Sequence, residues 1–215
     1  MSDAFREEYG TPEARRERIR AFGEECLVSI PGNRRQNGLT LEIGCGHGHW
    51  LTAYSESMPE ETCIGIDLNT KRIEKARSKR EKRGLPLLFF FKAEAMEFLE
   101  HLPETLWLRR TVLLFPDPWP KKRHHKRRLI RQPFLDLLAS RSFPKAELCF
   151  RTDHEGYFDW AVKHINEIEC WNIQSEVAWP FEHETFFQKI LPEHQSFLAV
   201  RRIRRAYERA VDSAL

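Results

Sequence analysis

The chain has 215 residues, 41% of them hydrophobic and 31% charged, with a formal net charge of +3. That length and apolar content suit one domain with a full core, here residues 1–215 with 1–38 as an N-terminal extension. No apolar run is long enough to span a bilayer, and the opening Met1-Ser2-Asp3-Ala4 begins no secretory signal, so a cytoplasmic protein without membrane attachment is expected.

Five cysteines, at 26, 45, 63, 149 and 170, form no CxxC pair, and isolated reduced thiols in structural roles are the simplest account. His47 and His49 beside Cys45, and the pair His124 and His125, lack recurring zinc spacing, so no metal is expected. Charge is unevenly placed. Residues 121–131 carry seven Lys or Arg and no acid, whereas residues 1–35 balance seven basic against seven acidic side chains.

In chain order, the apolar run 39–43 predicts a first strand, the glycines of 44–48 a turn, and 49–57 a short helix. A second strand over 62–67 leads to a helix over 70–83 whose Ile73 and Ala76 mark its apolar side. Residues 87–91 predict a third strand and 95–102 a helix, with Met96, Leu99 and Leu102 about one turn apart. A fourth strand over 111–115 is followed by a helix over 129–139, with Pro133 near its start. After the turn Phe143-Pro144-Lys145 come a strand over 146–151 and a helix over 156–168. This alternation is that of a parallel sheet with crossover helices. Two further strands, 170–175 and 197–203, are placed to close an edge, and the aromatic-rich segment between them, 176–194, reads as a substrate loop or as a core patch.

Gly44, Gly46 and Gly48 permit a tight turn that lets backbone donors at the next helix terminus approach a ligand. Asp67, nineteen residues beyond Gly48, ends the second strand, where a carboxylate accepts ribose hydroxyl bonds. Those two features alone leave a nicotinamide cofactor open. Glu42 before the turn and Glu94 after the third strand favour S-adenosylmethionine, because separate acids suit a nucleoside with an ammonium group better than a pyrophosphate. Asp117 is the sharpest catalytic candidate. It follows the fourth strand beside Trp119, in a turn braced by Pro116, Pro118 and Pro120. Immediately beyond it, Lys121, Lys122, Arg123, Lys126, Arg127 and Arg128 form a block suited to phosphates of RNA or another polyanion. Asp153, after the fifth strand, either orients substrate or caps the next helix.

At Glu42-Ile-Gly-Cys-Gly-His-Gly48, Gly65-Ile-Asp67, Phe115-Pro-Asp-Pro-Trp-Pro-Lys-Lys-Arg-His-His125 and Thr152-Asp153 followed by Tyr157, the chain resembles the bacterial tRNA (guanine-N7-)-methyltransferase family. The resemblance runs from about residue 39 to 204, and the proline-rich segment is its most specific part. It implies an α/β, class I S-adenosylmethionine-dependent methyltransferase fold, a Rossmann-like seven-stranded sheet with helices on both faces. The implied reaction is methyl transfer from S-adenosylmethionine to N7 of a guanine in tRNA, at guanosine 46 of the variable loop. By matching position, Glu42, Asp67 and Glu94, with the glycine turn, are implied as cofactor residues. Asp117 is implied as the catalytic acid, reaching the cofactor as well, and Lys121 and Asp153 as RNA-substrate residues. A monomer acting without an accessory protein is expected.

The chain departs from the family pattern at three places. Asp67 stands where a glutamate is common and Glu94 where an aspartate is common, each keeping an acid but changing its reach. The late Thr-x-x-Glu motif is here Thr185-Phe186-Phe187-Gln188, so Thr185 and Gln188 are the substrate-binding candidates, with an amide in place of the carboxylate. Two other functions fit parts of this pattern: a small-molecule methyltransferase sharing the cofactor half, and a non-catalytic RNA-binding protein sharing the basic surface.

Overall fold

The computed structural model describes residues 10–174, 178–183 and 193–202. Among the described residues seven strands form one sheet: β1 (Leu39–Ile43), β2 (Thr62–Asp67), β3 (Leu88–Lys92), β4 (Leu108–Leu114), β5 (Ser142–Thr152), β6 (Trp171–Gln174) and β7 (Gln195–Arg201), in the order β3-β2-β1-β4-β5-β7-β6. β1 to β5 run parallel, and β7 is inserted antiparallel between β5 and the edge strand β6. The helices are α1 (Pro12–Ser29), α2 (His49–Ser57), α3 (Thr70–Arg83), α4 (Ala95–His101), α5 (Gln132–Ser140) and α6 (Glu155–Asn166), with 3-10 helices at Gly32–Asn37 and Lys122–Arg127.

Both faces of the sheet are covered because successive strand residues point to opposite sides. Ile64, Phe89, Leu113, Leu148 and Phe150 join one apolar cluster with α1, α4, α5 and α6. Their neighbours Cys63, Phe90, Val112 and Cys149 join a second cluster with α2 and α3. Buried on both sides, these strands read as continuous apolar runs, which is why their positions were legible in the sequence.

The boundaries of β1, α2, β2 and α3 coincide with the sequence expectation. Elsewhere the tertiary structure moved them. α5 starts at Gln132 and not at 129, since Pro133 lacks an N–H and fits only the first turn, with extended Arg131 as its cap. β5 begins at Ser142, so the expected turn Phe143-Pro144-Lys145 lies inside the strand as a bulge. There Lys145 has φ +64°, and the register jumps from Leu108↔Ser142 to Arg110↔Glu147. α1 was not foreseen. Its Thr11 side chain accepts from the Ala14 amide, Pro12 occupies its first turn, and Ile19, Phe22, Gly23 and Cys26 form its buried stripe. Phe22 stacks on Phe91 at 4.4 Å, and Arg15 pairs with Glu97 of α4 at 2.8 Å, so the helix is built into the main core.

Candidate active site

The chain order reverses at β1, which lies between β2 and β4, and open α/β sheets bind ligands in the crevice at such a point. A cleft of about 940 Å³ opens there at the carboxyl ends of the parallel strands. Glu42, Gly44, Gly46, Asp67, Glu94 and Asp117, each named from the sequence alone, line it.

The glycine turn is tied to β2 by the amides of Gly44 and Cys45, which donate to the Ile66 carbonyl at 2.8 and 3.0 Å. Gly44 (φ +76°) and Gly46 (φ +53°) adopt the left-handed region, and a Cβ at either would meet open space. Their backbone therefore faces the cleft directly. Gly48 is different. It does not line the cleft, and a Cβ there would lie 2.6 Å from the Phe90 ring, so packing requires this glycine.

Asp67, only 7% exposed, accepts from the Gly46 amide at 3.0 Å and the Asn69 amide at 2.8 Å, with Arg72 at 3.6 Å. It holds the turn in shape while keeping further lone pairs for a ligand. Glu42 is buried, and its Oε2 has no hydrogen-bond partner among the described residues. Burial pushes its carboxyl up to about 8, with Asp67 adding in the same direction and the Leu51 amide opposing. Glu94 does two things: its Oε2 caps α4 by accepting from the Glu97 amide at 2.9 Å, and the residue borders the cleft.

Asp117 stands exposed on the turn after β4. Phe115 (φ +49°) and Trp119 (φ +44°) on either side hold backbone conformations that side-chain-bearing residues rarely adopt, and such strain collects at functional sites. The turn is anchored underneath. The Phe115 amide donates to the Arg151 carbonyl of β5 at 2.8 Å. Arg128 donates to the carbonyls of Pro118 and Gly156, each at 2.8 Å, between the rings of Tyr157 and Trp160. Arg128 is 2% exposed, which corrects its assignment to a phosphate-contacting block: its guanidinium is spent on the protein's own backbone. Lys121, Lys122, Arg123, Lys126 and Arg127 are exposed on the 3-10 turn, and Arg127 stacks over Trp119 at 4.7 Å where both border the cleft.

Lys121 and Asp153 lie outside the cleft lining, on the segments that follow β4 and β5. Asp153 is exposed and is not the cap of α6, a role taken by His154 Nδ1, which accepts from the Tyr157 amide at 3.1 Å. Thr185 and Gln188 lie outside the described residues. Sequence reasoning missed the anchoring of residues 178–183. Arg151 makes a two-pronged pair with Glu182 at 2.8 and 2.9 Å, lies 4.2 Å from the centre of the Trp179 ring, and donates to Ser196 at 2.8 Å. On the α2 side, Trp50 donates to the Phe181 carbonyl at 3.3 Å. A pair thirty-one residues apart leaves no periodic trace in the sequence.

Comparison with known proteins agrees with this geometry. The family model described as "Putative methyltransferase" matches residues 36–199. A tRNA (guanine-N(7)-)-methyltransferase of Syntrophotalea carbinolica is 38% identical over 143 residues, which are 66% of this chain and 61% of that protein. A tRNA (guanine-N(7)-)-methyltransferase of Methylococcus capsulatus is 40% identical over 136 residues, 63% of this chain and 58% of that protein. The chain thus spans about three-fifths of the length of these curated relatives. Among solved structures, TrmN from Thermus thermophilus superposes with a TM-score of 0.54 at 14% identity, covering 84% of this chain and 48% of that one, a likeness of fold. With its seven-stranded sheet, covered faces and cleft at the strand ends, the chain belongs to the bacterial tRNA (guanine-N7-)-methyltransferase family and has the class I S-adenosylmethionine-dependent methyltransferase fold.

Proposed function

We propose that the chain transfers the methyl group of S-adenosylmethionine to N7 of a guanine in tRNA, at guanosine 46 of the variable loop. The observation that carries this reading is the convergence of two halves on one cleft: the glycine turn with Glu42 and Asp67, and the strained Asp117 turn whose exposed cations continue from Arg127. A small-molecule enzyme has no use for that rim, and a passive RNA binder has none for a buried carboxylate at Glu42 whose Oε2 has no partner among the described residues.

The donor set fits the cofactor. Glu42 Oε2 is placed to receive a cationic amino group, Asp67 to accept ribose hydroxyls with its remaining lone pairs, and Glu94 to border the adenine. When bound, S-adenosylmethionine supplies an electrophilic methyl on a sulfonium. Guanine N7 already has a lone pair, so the protein needs neither a base nor a nucleophile, and its work is alignment. Asp117, an acceptor only, holds hydrogen-bond donors of the guanine ring while leaving N7 free. Trp119, with Arg127 stacked on one face, offers a platform for a base turned out of its RNA. Lys121 and Asp153 contact the RNA beyond the cleft, and Thr185 and Gln188 complete the substrate contacts. The chain acts as one domain and as a monomer in the cytoplasm, where tRNA is found.

Asp117→Asn tests the alignment role, because it preserves shape but replaces one acceptor with a donor. Single-turnover transfer with both substrates saturating should slow on the order of a hundredfold, and Asp117→Ala should be at least as slow. Both variants should still bind S-adenosylmethionine. Near-normal rates in both would shift the centre of the mechanism toward Asp153. If the unaltered chain incorporated label into a metabolite but not into RNA, the small-molecule reading would replace this one.

A further inference from the structure

A second cationic surface lies on the other side of the cleft from the 3-10 turn. Helix α3 carries eight Lys or Arg and two Glu, a surplus of six positive charges on a chain whose net charge is +3. Ile73 and Ala76 face the core, Arg77 is committed to the Phe90 carbonyl, and Arg80 stacks on Phe89. Lys71, Lys75 and Lys82 recur along one outer stripe at spacings of four and seven residues. All three are exposed, and none pairs with a carboxylate among the described residues.

Helix electrostatics do not account for the stripe. Cations in the last turn, Arg80, Lys82 and Arg83, complement the negative end of the helix dipole. Lys71, Arg72 and Lys75 sit at the opposite end, where the dipole disfavours them, and the first turn holds no acid. Arg72 has the Asp67 carboxylate at 3.6 Å, whereas Lys71 and Lys75 pair with no carboxylate among the described residues. His47 is held below the ordinary histidine range by burial and then by Lys75, Lys79 and Arg72, and Lys79 is lowered by burial, Arg83 and Lys75. A surface that crowds like charges at a local cost is complementary to a polyanion that supplies the missing charge.

Position selects the polyanion. Lys71 and Arg72 border the cleft, so the stripe begins there and runs along a helix of fourteen residues, about 21 Å, on the face of the sheet opposite α1, α4, α5 and α6. The cations of the 3-10 turn approach the same cleft from the β4 side. We infer that α3 is a second RNA-backbone contact, through Lys71, Lys75 and Lys82, gripping phosphates away from the guanine that enters the cleft. The inference rests on the proposed tRNA substrate. On this arrangement the 3-10 turn serves the strand being modified, and α3 bears a different stretch of the same folded RNA.

The test is Lys75→Glu with Lys82→Glu in the full chain, since both positions are clear of the cleft lining. Equilibrium binding of unmodified tRNA across a salt series should show about a tenfold loss of affinity at the lowest salt. The slope of log affinity against log salt should become shallower by between about one and two, the value for two lost phosphate contacts. Lys75→Arg with Lys82→Arg should restore both quantities, and S-adenosylmethionine titration of each variant verifies that the fold is intact. Arg16→Glu with Arg20→Glu on the exposed side of α1 makes the same change in net charge elsewhere. An equal loss there would overturn the inference, because overall charge would then explain the effect. Wild-type affinity and slope in the α3 variant, with an unaltered protein that methylates tRNA, would also overturn it and leave the proposed function standing. An unaltered protein that neither binds nor methylates tRNA would remove the proposed function and this inference together.

Discussion

Glu42 is a cleft residue whose ionisation the fold alters strongly, and the consequences divide between folding and binding. Its carboxyl is pushed up to about 8 from 4.5 by burial, so between those values the folded protein holds a proton that the unfolded chain has lost. Stability without cofactor is therefore greatest below about pH 4.5 as far as this group is concerned, declines as pH rises toward 8, and is level beyond. Glu42→Gln should remove that slope: its advantage over wild type in urea denaturation should grow from pH 5 to pH 8. Binding has the opposite sign. A cationic amino group needs the ionised carboxylate, so cofactor affinity should rise toward pH 8, and calorimetry near pH 6.5 in buffers of different ionisation enthalpy should show close to one proton released. Glu42→Gln should abolish that release and weaken binding about tenfold, in the range of a lost charge-assisted bond. At this scale the acids were legible because each stands at the end of an apolar run. Arg128 was misread and the Arg151–Glu182 pair unseen, since burial and partnership across the fold decide what a guanidinium does.

The turn joining β1 to α2 shows two glycines of equal sequence prominence doing different jobs. At Gly44 an added Cβ meets open space, whereas at Gly48 it meets the ring of Phe90 at 2.6 Å and Ala76 at 2.9 Å. Both have positive φ, so Gly44→Ala and Gly48→Ala share the backbone cost, and the second adds overlap with a packed core. Gly48→Ala should lower unfolding free energy by about 1–3 kcal/mol more than Gly44→Ala. Gly44→Ala should show its larger effect on cofactor affinity. Urea titration with a cofactor binding curve for each variant separates the two. The glycine spacing announced a ligand-binding turn, but the division of labour within it depends on β3, which comes forty residues later in the chain. The same dependence on distant parts explains the bulge in β5, set by register with β4, whereas the late start of α5 follows from its own Pro133.

At the scale of the whole molecule, α1 closes the core beside β3 and α4. Phe22 is 9% exposed, stacked on Phe91 and near Phe89 and Phe98, and Gly23 lets the helix approach Pro103 more closely than any side chain would allow. Phe22→Ala should cost about 3–5 kcal/mol of stability, read from the urea midpoint. The loss should exceed that of any single surface change on the same helix. From β1 onward, the order of strands and helices, the parallel character of the first five strands and the acids at their ends follow from the sequence by itself. Strands buried on both faces must be continuously apolar, and a chain alternating strand with helix can return only by crossovers. Only the tertiary structure decided that β7 enters antiparallel between β5 and β6, that residues 12–29 belong to the core, and which cations are free to meet a ligand. Those outcomes turn on contacts between residues far apart in the chain, and such contacts leave no periodicity for a local pattern to report.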